Sequence, residues 1–352
     1  MKNIIIISML LIMTACNNND FTHISEYQDA IYIMDTEGNN KQKVIDVAGC
    51  SNVQFIPNSD KLLYMINRTD GSNMGSLYTV NTDGSEITQI SGELKIRRDL
   101  PSISDDGLKI VFWVLDDSRD SAIYDLYLTD PLGIEITNLT QTEDESEKDA
   151  SFINYQDQEY LLFVTYFNEN DLNYSTISKM NIDTFEVDTL YVEEINEEWG
   201  FKHPLYCQLY DKLFVVFGQI GTFASSHLYS YDSLYNGNPT LIPTEVYGYK
   251  MDISLDFHKL IFQSYDITTY DILQNEVNLL ADGYKFNTYH DKVIYCTNSQ
   301  SNNGNIYSIK LDGSNNTLLS EDGFYPRFSK DGSQIVYIGR YVTNPQRNLI
   351  TN

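Results

Sequence analysis

The chain has 352 residues, 42% of them apolar, which is enough to bury the core of one large all-β unit or of two average domains. Its formal charge of −27 at pH 7 would repel phosphate backbones and anionic lipid surfaces, so we expect no nucleic-acid partner. The 27 tyrosines favour strands over helices, because aromatic side chains fit a pleated surface.

Residues 1–15 predict an export signal, because their apolar run is too short to span a bilayer as a helix. The stretch "MTAC" at 13–16 resembles the lipobox of bacterial lipoproteins, with Met13 in place of the usual leucine. The resemblance implies cleavage before Cys16, lipidation of its thiol and a lipid anchor in the membrane. An ordinary signal peptide is the alternative. We interpret 16–29 as the lipidated cysteine and a tether, and Asn17 favours the outer membrane in the sorting pattern of Gram-negative lipoproteins.

Two kinds of hairpin alternate along residues 30–342. One kind includes "IYIMDTEG" at 31, "LYTVNTDG" at 77 and "IYSIKLDG" at 306. The other includes "PSISDDGLKIVFWV" at 101 and "YPRFSKDGSQIVYI" at 325. Asp-Gly between alternating apolar runs favours a hairpin, since glycine accepts the positive φ of a tight turn. Seven copies of about 45 residues each are typical of propeller blades.

The sequence therefore predicts an all-β fold, a single β-propeller of four-stranded antiparallel blades. Seven blades is our count, with six and eight as alternatives. The repeat begins on the second hairpin of a unit at 31 and ends on the first hairpin of a unit at 325–338. We therefore predict that N- and C-terminal strands pair and close the ring, which removes two exposed sheet edges. Residues 343–352 are expected to form a C-terminal tail.

The hairpins at both ends of the repeat resemble the TolB-like β-propeller repeat, the PD40 type of WD40-like repeat. The positions that carry the resemblance are Pro326, Phe328, Ser329, Asp331 and Gly332, and again Pro101, Ser104, Asp106 and Gly107. The copies between 150 and 300 lack the Asp-Gly turn, so there the prediction depends on periodicity alone. The resemblance covers about residues 30 to 340 and implies a propeller.

No stretch carries a catalytic signature such as G-x-S-x-G, H-E-x-x-H or a Walker loop. We expect no cofactor and no metal, because the five histidines are not spaced as ligands. The alternative is a metal-assisted polysaccharide lyase or hydrolase at the mouth of the central channel. Oligogalacturonate lyases, of related repeat type, hold a metal with histidines and carboxylates on innermost strands. In this chain His203 lies near such a strand.

Candidate ligand-binding residues lie on loops that enter the innermost strands, and on those strands. They include two segments, "KIRRD" at 95–99 and "WGFKH" at 199–203, rich in the arginine and aromatic types that dominate interaction hot spots. The candidates are Arg97, Arg98, Trp199, Lys202, His203, Tyr249, Tyr284, Tyr325 and Arg327. The alternative is that the arginines pair with the acidic segment 143–149, expected to be a solvated loop, and that the aromatic side chains cap the core.

These features predict a non-catalytic, lipid-anchored protein of the cell envelope. We expect a monomer whose propeller binds a protein, peptide or glycan through one face. A purely structural envelope subunit is a third interpretation. Of the cysteines that follow Cys16, Cys207 and Cys296 lie in apolar runs, where cysteine behaves as a small core residue.

Overall fold

A computed structural model describes residues 27–342, except 71, 117, 119–122, 197–198, 220–225, 236, 247–249, 255, 257 and 298–303. The export signal, Cys16, Tyr249 and the C-terminal tail therefore lie outside the described residues. Within them the secondary structure consists of strands and one short 3₁₀ turn, Gln208–Tyr210. None of the described segments is a helix long and apolar enough to cross a membrane.

The strands group into antiparallel units, which we call blades and number in chain order. The chain enters through β1 (Tyr27–Asp35) and β2 (Gln42–Asp46). Blade 1 comprises β3 (Cys50–Phe55), β4 (Lys61–Asn67), β5 (Met74–Asn81) and β6 (Thr88–Gln89). A short strand, β7 (Ile96–Arg97), follows. Blade 2 comprises β8 (Ser102–Ile103), β9 (Ile110–Asp116), β10 (Ile123–Thr129) and β11 (Ile136–Asn138). Blade 3 comprises β12 (Glu145–Tyr155), β13 (Gln158–Glu169), β14 (Leu172–Asn181) and β15 (Val187–Ile195).

The second half of the chain repeats this order. Blade 4 comprises β16 (Trp199–Cys207), β17 (Lys212–Gln219), β18 (Ser226–Tyr231) and β19 (Pro239–Val246). Blade 5 comprises β20 (Met251–Ser254), β21 (Lys259–Gln263), β22 (Ile267–Asp271) and β23 (Glu276–Ala281). Blade 6 comprises β24 (Tyr284–Tyr289), β25 (Lys292–Cys296), β26 (Ile306–Lys310) and β27 (Thr317–Ser320). The chain leaves through β28 (Gly323–Phe328) and β29 (Gln334–Val342).

Both ends of the described chain form one sheet, blade 7, with the strand order β2-β1-β29-β28. Strand β1 pairs with β29 along its whole length, from Tyr27 opposite Val342 to Asp35 opposite Gln334. The described residues thus form seven blades: five separate four-stranded sheets, and two units joined in one nine-stranded sheet. The predicted all-β propeller, its blade number and its closure by terminal strands are confirmed.

Blades 1 and 2 share a sheet because β7 lies between them. Ile96 of β7 pairs with Gly75 of β5 on one side and with Val114 of β9 on the other. The segment 95–99, expected to lie on a loop, therefore contains a strand. Alternating apolar residues, the usual signal for a strand, cannot show in an element of only two residues, Ile96–Arg97.

The acidic segment 143–149 also departs from expectation, and its prediction as a solvated loop is wrong from Glu145 onward. Strand β12 begins at Glu145, which pairs with Phe167 of the long strand β13. Ser146 and Glu147 are buried there, with 9% and 1% of their surfaces exposed. A run of charged residues normally indicates solvent, and here pairing with β13 overrides that tendency.

The first strand of each blade lies innermost. First strands of successive blades contact one another around the ring: β8 with β12, β12 with β16, β16 with β20, β20 with β24, β24 with β28, and β28 with β3. This arrangement places residues from distant parts of the sequence around one central channel.

The Ser-x-Asp-Gly turns of the repeat have two physical roles. In blade 7 the Ser329 hydroxyl donates a hydrogen bond of 2.6 Å to Asp331 Oδ1, and Gly332 has a φ of +69°. A Cβ on Gly332 would lie 2.0 Å from the ring of Tyr289 in blade 6. Glycine is thus required for the turn and for the close approach of the preceding blade.

Apolar side chains fill the spaces between blades. One cluster joins Ile31 and Ile338 of blade 7 to Val53 and Leu62 of blade 1. Blade faces are therefore buried against their neighbours rather than in a separate core. The three cysteines of the described region, Cys50, Cys207 and Cys296, are buried free thiols.

Candidate functional site

Four first strands carry the same irregularity near the channel. In β12, β16, β24 and β28 one extra residue interrupts the pairing with the second strand, which is a β-bulge. The register shifts lie between Lys148 and Ser151, Lys202 and Leu205, Tyr284 and Asn287, and Phe324 and Arg327. The same insertion at equivalent places in four blades is a feature of the repeat rather than a local defect.

The residue that opens each bulge has a positive φ, although none is glycine. These bulge residues are Asp149 (55°), His203 (46°), Lys285 (55°) and Tyr325 (55°). Such backbone conformations are uncommon for residues with a Cβ, and bulges beside functional sites re-aim side chains. All four bulge residues line one of two adjoining cavities.

The larger of these, which we call the mouth cavity, has a volume of about 490 Å³. Side chains from six blades line it, which is geometrically consistent only with a position on the ring axis. Blades 1, 2, 4, 5, 6 and 7 each contribute at least one residue, for example Asn52, Trp113, His203, Gln263, Tyr284 and Tyr325 in that order. A second cavity of about 390 Å³ shares Leu100, Trp113, His203 and Lys250 with the first, so the two adjoin along the channel.

Basic side chains dominate one part of the mouth-cavity wall. Lys250, Lys285 and Arg327 come from blades 5, 6 and 7, and Arg98 lies on the segment between blades 1 and 2. Burial, followed by the nearby charge of Arg327, lowers the pKa of Lys250 well below its ordinary value. Burial likewise lowers the pKa of Arg327. This local positive charge contrasts with an otherwise strongly acidic chain.

Aromatic side chains supply another part of the wall. Trp113, Tyr265, Tyr284 and Tyr325 all line the mouth cavity, and Tyr265 is 75% exposed. The ammonium of Lys285 lies 4.7 Å from the centre of the Tyr325 ring, a cation–π geometry. Aromatic rings beside convergent polar groups are typical of ligand pockets.

The two cavities also contain carboxylates that have partners. The backbone N–H of His203 donates to Asp149 Oδ2 at 3.1 Å, and its ring Nδ1 lies 3.4 Å from Asp149 Oδ1. Asp99 accepts a hydrogen bond of 3.3 Å from Arg97 Nε. Burial and the charge of Asp149 raise the pKa of Asp99. In the part of the chain that the structure describes, no group of three His, Cys, Asp or Glu side chains is placed to hold a metal ion.

The two arginines of "KIRRD" have different surroundings. Arg97 pairs with Asp99 and lies 3.5 Å from the Tyr124 hydroxyl, so it supports the cavity without lining it. Arg98 lines the cavity, and its Nη2 donates to the Ser72 carbonyl at 2.8 Å. Among the described residues, neither arginine forms an ion pair with the acidic segment 143–149. This differs from the alternative interpretation of the sequence, in which the arginines pair with that segment.

Two other candidates do not line the mouth cavity. The Trp199 ring stacks on His227, with centroids 6.0 Å apart, and lies near Phe217. Lys202 is 4% exposed, and its ammonium donates to the Gln219 carbonyl. The structure thus brings together five candidates: Arg98, His203, Tyr284, Tyr325 and Arg327.

Sequence reasoning missed several residues of the cavity wall, among them Trp113, Lys250, Tyr265 and Lys285. Lys250 directly precedes β20, and Lys285 is the second residue of β24. The repeat alignment pointed to the position of Lys285, because this residue follows the candidate Tyr284. Trp113 lies in a buried run that predicts only core. Tyr265 lies in a hairpin turn, where local pattern gives no information about a cavity.

The mouth cavity belongs to a fold that recurs in solved structures of low sequence identity. No protein-family model matches the chain, and the comparison with curated proteins found no match. An oligogalacturonate lyase in complex with manganese is similar with a TM-score of 0.62 and 11% identity, over 90% of this chain and 97% of the lyase. An oligogalacturonate lyase from Vibrio parahaemolyticus gives 0.58 and 12%, over 90% and 98%.

A putative TolB from Agrobacterium tumefaciens matches over 90% of this chain and 99% of its own, with 14% identity and a TM-score of 0.49. At these identities the likenesses show the fold and carry nothing about activity. The two lyase likenesses, with TM-scores of 0.62 and 0.58, establish that the chain shares the β-propeller architecture of those proteins.

Proposed function

We propose that this chain is a ligand-binding β-propeller, lipid-anchored in the cell envelope through Cys16, with its binding site at the mouth cavity. The observation that carries the proposal is the convergence of aromatic and polar side chains from six blades on one cavity of about 490 Å³. That volume falls in the range of small-ligand sites. It suits a short segment of peptide or glycan better than the surface of a folded protein.

The strained bulges support a binding role. His203, Lys285 and Tyr325 hold a positive φ where they face the cavity, and strain of this kind is commonly retained where it positions functional groups. The proposal includes no catalytic step.

A binding screen with one matched pair of variants tests the proposal. Peptide and oligosaccharide libraries would be screened by calorimetry against the native protein, Tyr265→Ser and Leu279→Ser. Both residues are exposed and belong to blade 5, but only Tyr265 lines the cavity. We expect Tyr265→Ser to weaken the identified ligand about 10-fold and Leu279→Ser to leave it unchanged. Equal affinity in the two variants would place the ligand elsewhere.

The anchor is tested separately by Cys16→Ser. We expect loss of fatty-acid labelling and release from the membrane fraction, whereas Cys50→Ser keeps both. The resemblance of residues 13–16 to a lipobox is the support for this part. Retention of label in Cys16→Ser would contradict it.

A metal-assisted lyase is the second candidate, favoured by the placement of His203 beside Asp149 in the channel. The donor set fits poorly, because the described residues offer no group of three suitable ligands. Incubation with manganese, followed by elemental analysis and an assay for unsaturated uronate products, separates the candidates. Stoichiometric metal together with product formation would favour the lyase.

A further inference from the structure

Three basic side chains of neighbouring blades face the mouth cavity together: Lys250 of blade 5, Lys285 of blade 6 and Arg327 of blade 7. We call them the basic triad. The whole chain has 50 acidic and 23 basic residues, so most of its surface is acidic. Basic groups gathered in one cavity of such an acidic protein indicate that the cavity recognises a negatively charged group.

The basic triad has few negatively charged partners. No ion pair among the described residues includes Lys250, Lys285 or Arg327. Asp252 is the one carboxylate whose charge affects both Lys250 and Arg327 in the described region. Its Oδ2 already accepts hydrogen bonds of 3.3 Å from the Asn287 side chain and from the Thr288 backbone.

Arg327 shows this lack of partners most clearly. Only 8% of this residue is exposed, and its Nη1 donates to the Phe286 carbonyl at 2.8 Å. Its Nε–H is buried and has no hydrogen-bond partner among the described residues. A buried guanidinium donor without a partner is rare and indicates an acceptor that completes the site.

We propose that the basic triad binds a carboxylate group of the ligand. This inference rests on the proposed function, because it names the chemistry recognised at the same cavity. The Arg327 guanidinium and the Lys285 ammonium provide charge-assisted donors to one carboxylate, and the Lys250 amino group adds a further donor beside them. The rings of Tyr284 and Tyr325 line the same cavity, and the Tyr325 ring lies 4.7 Å from the Lys285 ammonium, so both are placed to pack against the ligand body.

Paired probes test the proposal on the full-length protein by titration calorimetry. One arm compares galacturonic acid with galactose, a second compares acetyl-glutamate amide with acetyl-glutamine amide, and a third uses inorganic phosphate. We expect the acid of at least one pair to bind about 10-fold more tightly than its neutral partner. The pair that responds identifies whether the carboxylate belongs to a sugar or to a peptide.

Variants then assign the effect to the triad. Lys285→Gln should lower the affinity for the acid about 10-fold, and Lys310→Gln, an equal change of charge on β26 of the same blade, should leave it unchanged. Arg327→Met should lower it by at least as much, with Arg327→Lys partly restoring it. Circular dichroism confirms that each variant is folded.

Several outcomes would overturn the proposal. These are equal binding of acid and neutral partner, unchanged affinity in Lys285→Gln, no binding of either acid, or phosphate binding more tightly than both acids. The proposed function has a separate test: it is wrong if the wider screen finds no ligand whose affinity falls in Tyr265→Ser. A neutral ligand that depends on Tyr265 would keep the proposed function and reject the carboxylate.

Discussion

Arg327 of blade 7 reaches into blade 6, where its Nη1 donates a hydrogen bond to the Phe286 carbonyl at 2.8 Å. The contact ties two blades together, yet among the described residues no carboxylate forms an ion pair with this buried charge. Burying an unpaired charge usually costs more than one hydrogen bond returns. We therefore expect Arg327→Met to raise the free energy of unfolding of the ligand-free protein by about 1 kcal/mol, measured by urea denaturation.

A second arginine of blade 7 provides the control. Arg340 donates to Asp29 Oδ1 at 2.8 Å, and Asp29 has only 13% of its side chain exposed. Arg340→Met leaves that carboxylate without this partner, so we expect a loss of about 2 kcal/mol. Destabilisation of equal size by both variants would show that Arg327 is a structural residue rather than one kept for binding.

Strand β29, which closes the ring by pairing with β1, provides a test of stability. Ile338 of β29 is completely buried and pairs with Ile31 of β1. Ile338→Ala should lower the free energy of unfolding by about 3 kcal/mol, because it leaves a cavity between blades 7 and 1. The exposed Ile134, with 80% of its surface accessible, serves as the control, and its change to alanine should have almost no effect. A small effect of Ile338→Ala would argue against tight closure of the ring.

The glycine of the repeat motif can be tested against another glycine of the same backbone conformation. Gly332 and Gly313 have φ values of +69° and +84°, but a Cβ on Gly313 would meet no atom within 4 Å. Gly313→Ala should cost about 1 kcal/mol from backbone strain alone. Gly332→Ala should cost at least about 2 kcal/mol more, since its Cβ would overlap the Tyr289 ring. Thermal unfolding of the two variants measures the difference, and equal losses would mean that blade 6 can shift away.

The buried carboxyl of Glu147 should make the free energy of unfolding depend on pH. Burial raises the pKa of Glu147 to about 7, and its Oε1 accepts a hydrogen bond of 2.9 Å from Thr142. Because the folded-state pKa lies above the unfolded value, the protonated form stabilises the fold at low pH. That contribution is lost as the pH rises towards 7. The loss corresponds to about 3 kcal/mol.

Glu147→Gln should remove this dependence. We expect the variant to be more stable than the native protein by about 2 kcal/mol near pH 8 and close to it near pH 5, in urea denaturation. Glu145→Gln, two residues earlier on β12, is the control for removing one acidic side chain from the same strand. A native protein whose stability is flat between these pH values would contradict the buried state of Glu147.

The conformation of the bulges illustrates what local sequence leaves open. Lys285 and Tyr325 each follow an aromatic residue at the start of a first strand, and nothing in their immediate neighbours requires a positive φ. The pairing with the second strand imposes it, since one residue must be left over on the inner strand. Tyr284, Tyr325 and Arg327 were predictable as candidates from their place in the repeat, whereas Lys250 and Tyr265 were not.

Hairpin turns and apolar alternation are local signals that repeat along the chain, so the sequence predicted the blades, a count of seven with six and eight as alternatives, and the pairing of the two ends. Which side chains meet at the mouth cavity follows from the folded ring alone. Lys250 and Arg327 are separated in sequence by the whole of blades 5 and 6, and ring closure together with the bulges brings them to one wall. No local pattern encodes that meeting, because it depends on how the blades are arranged around the axis.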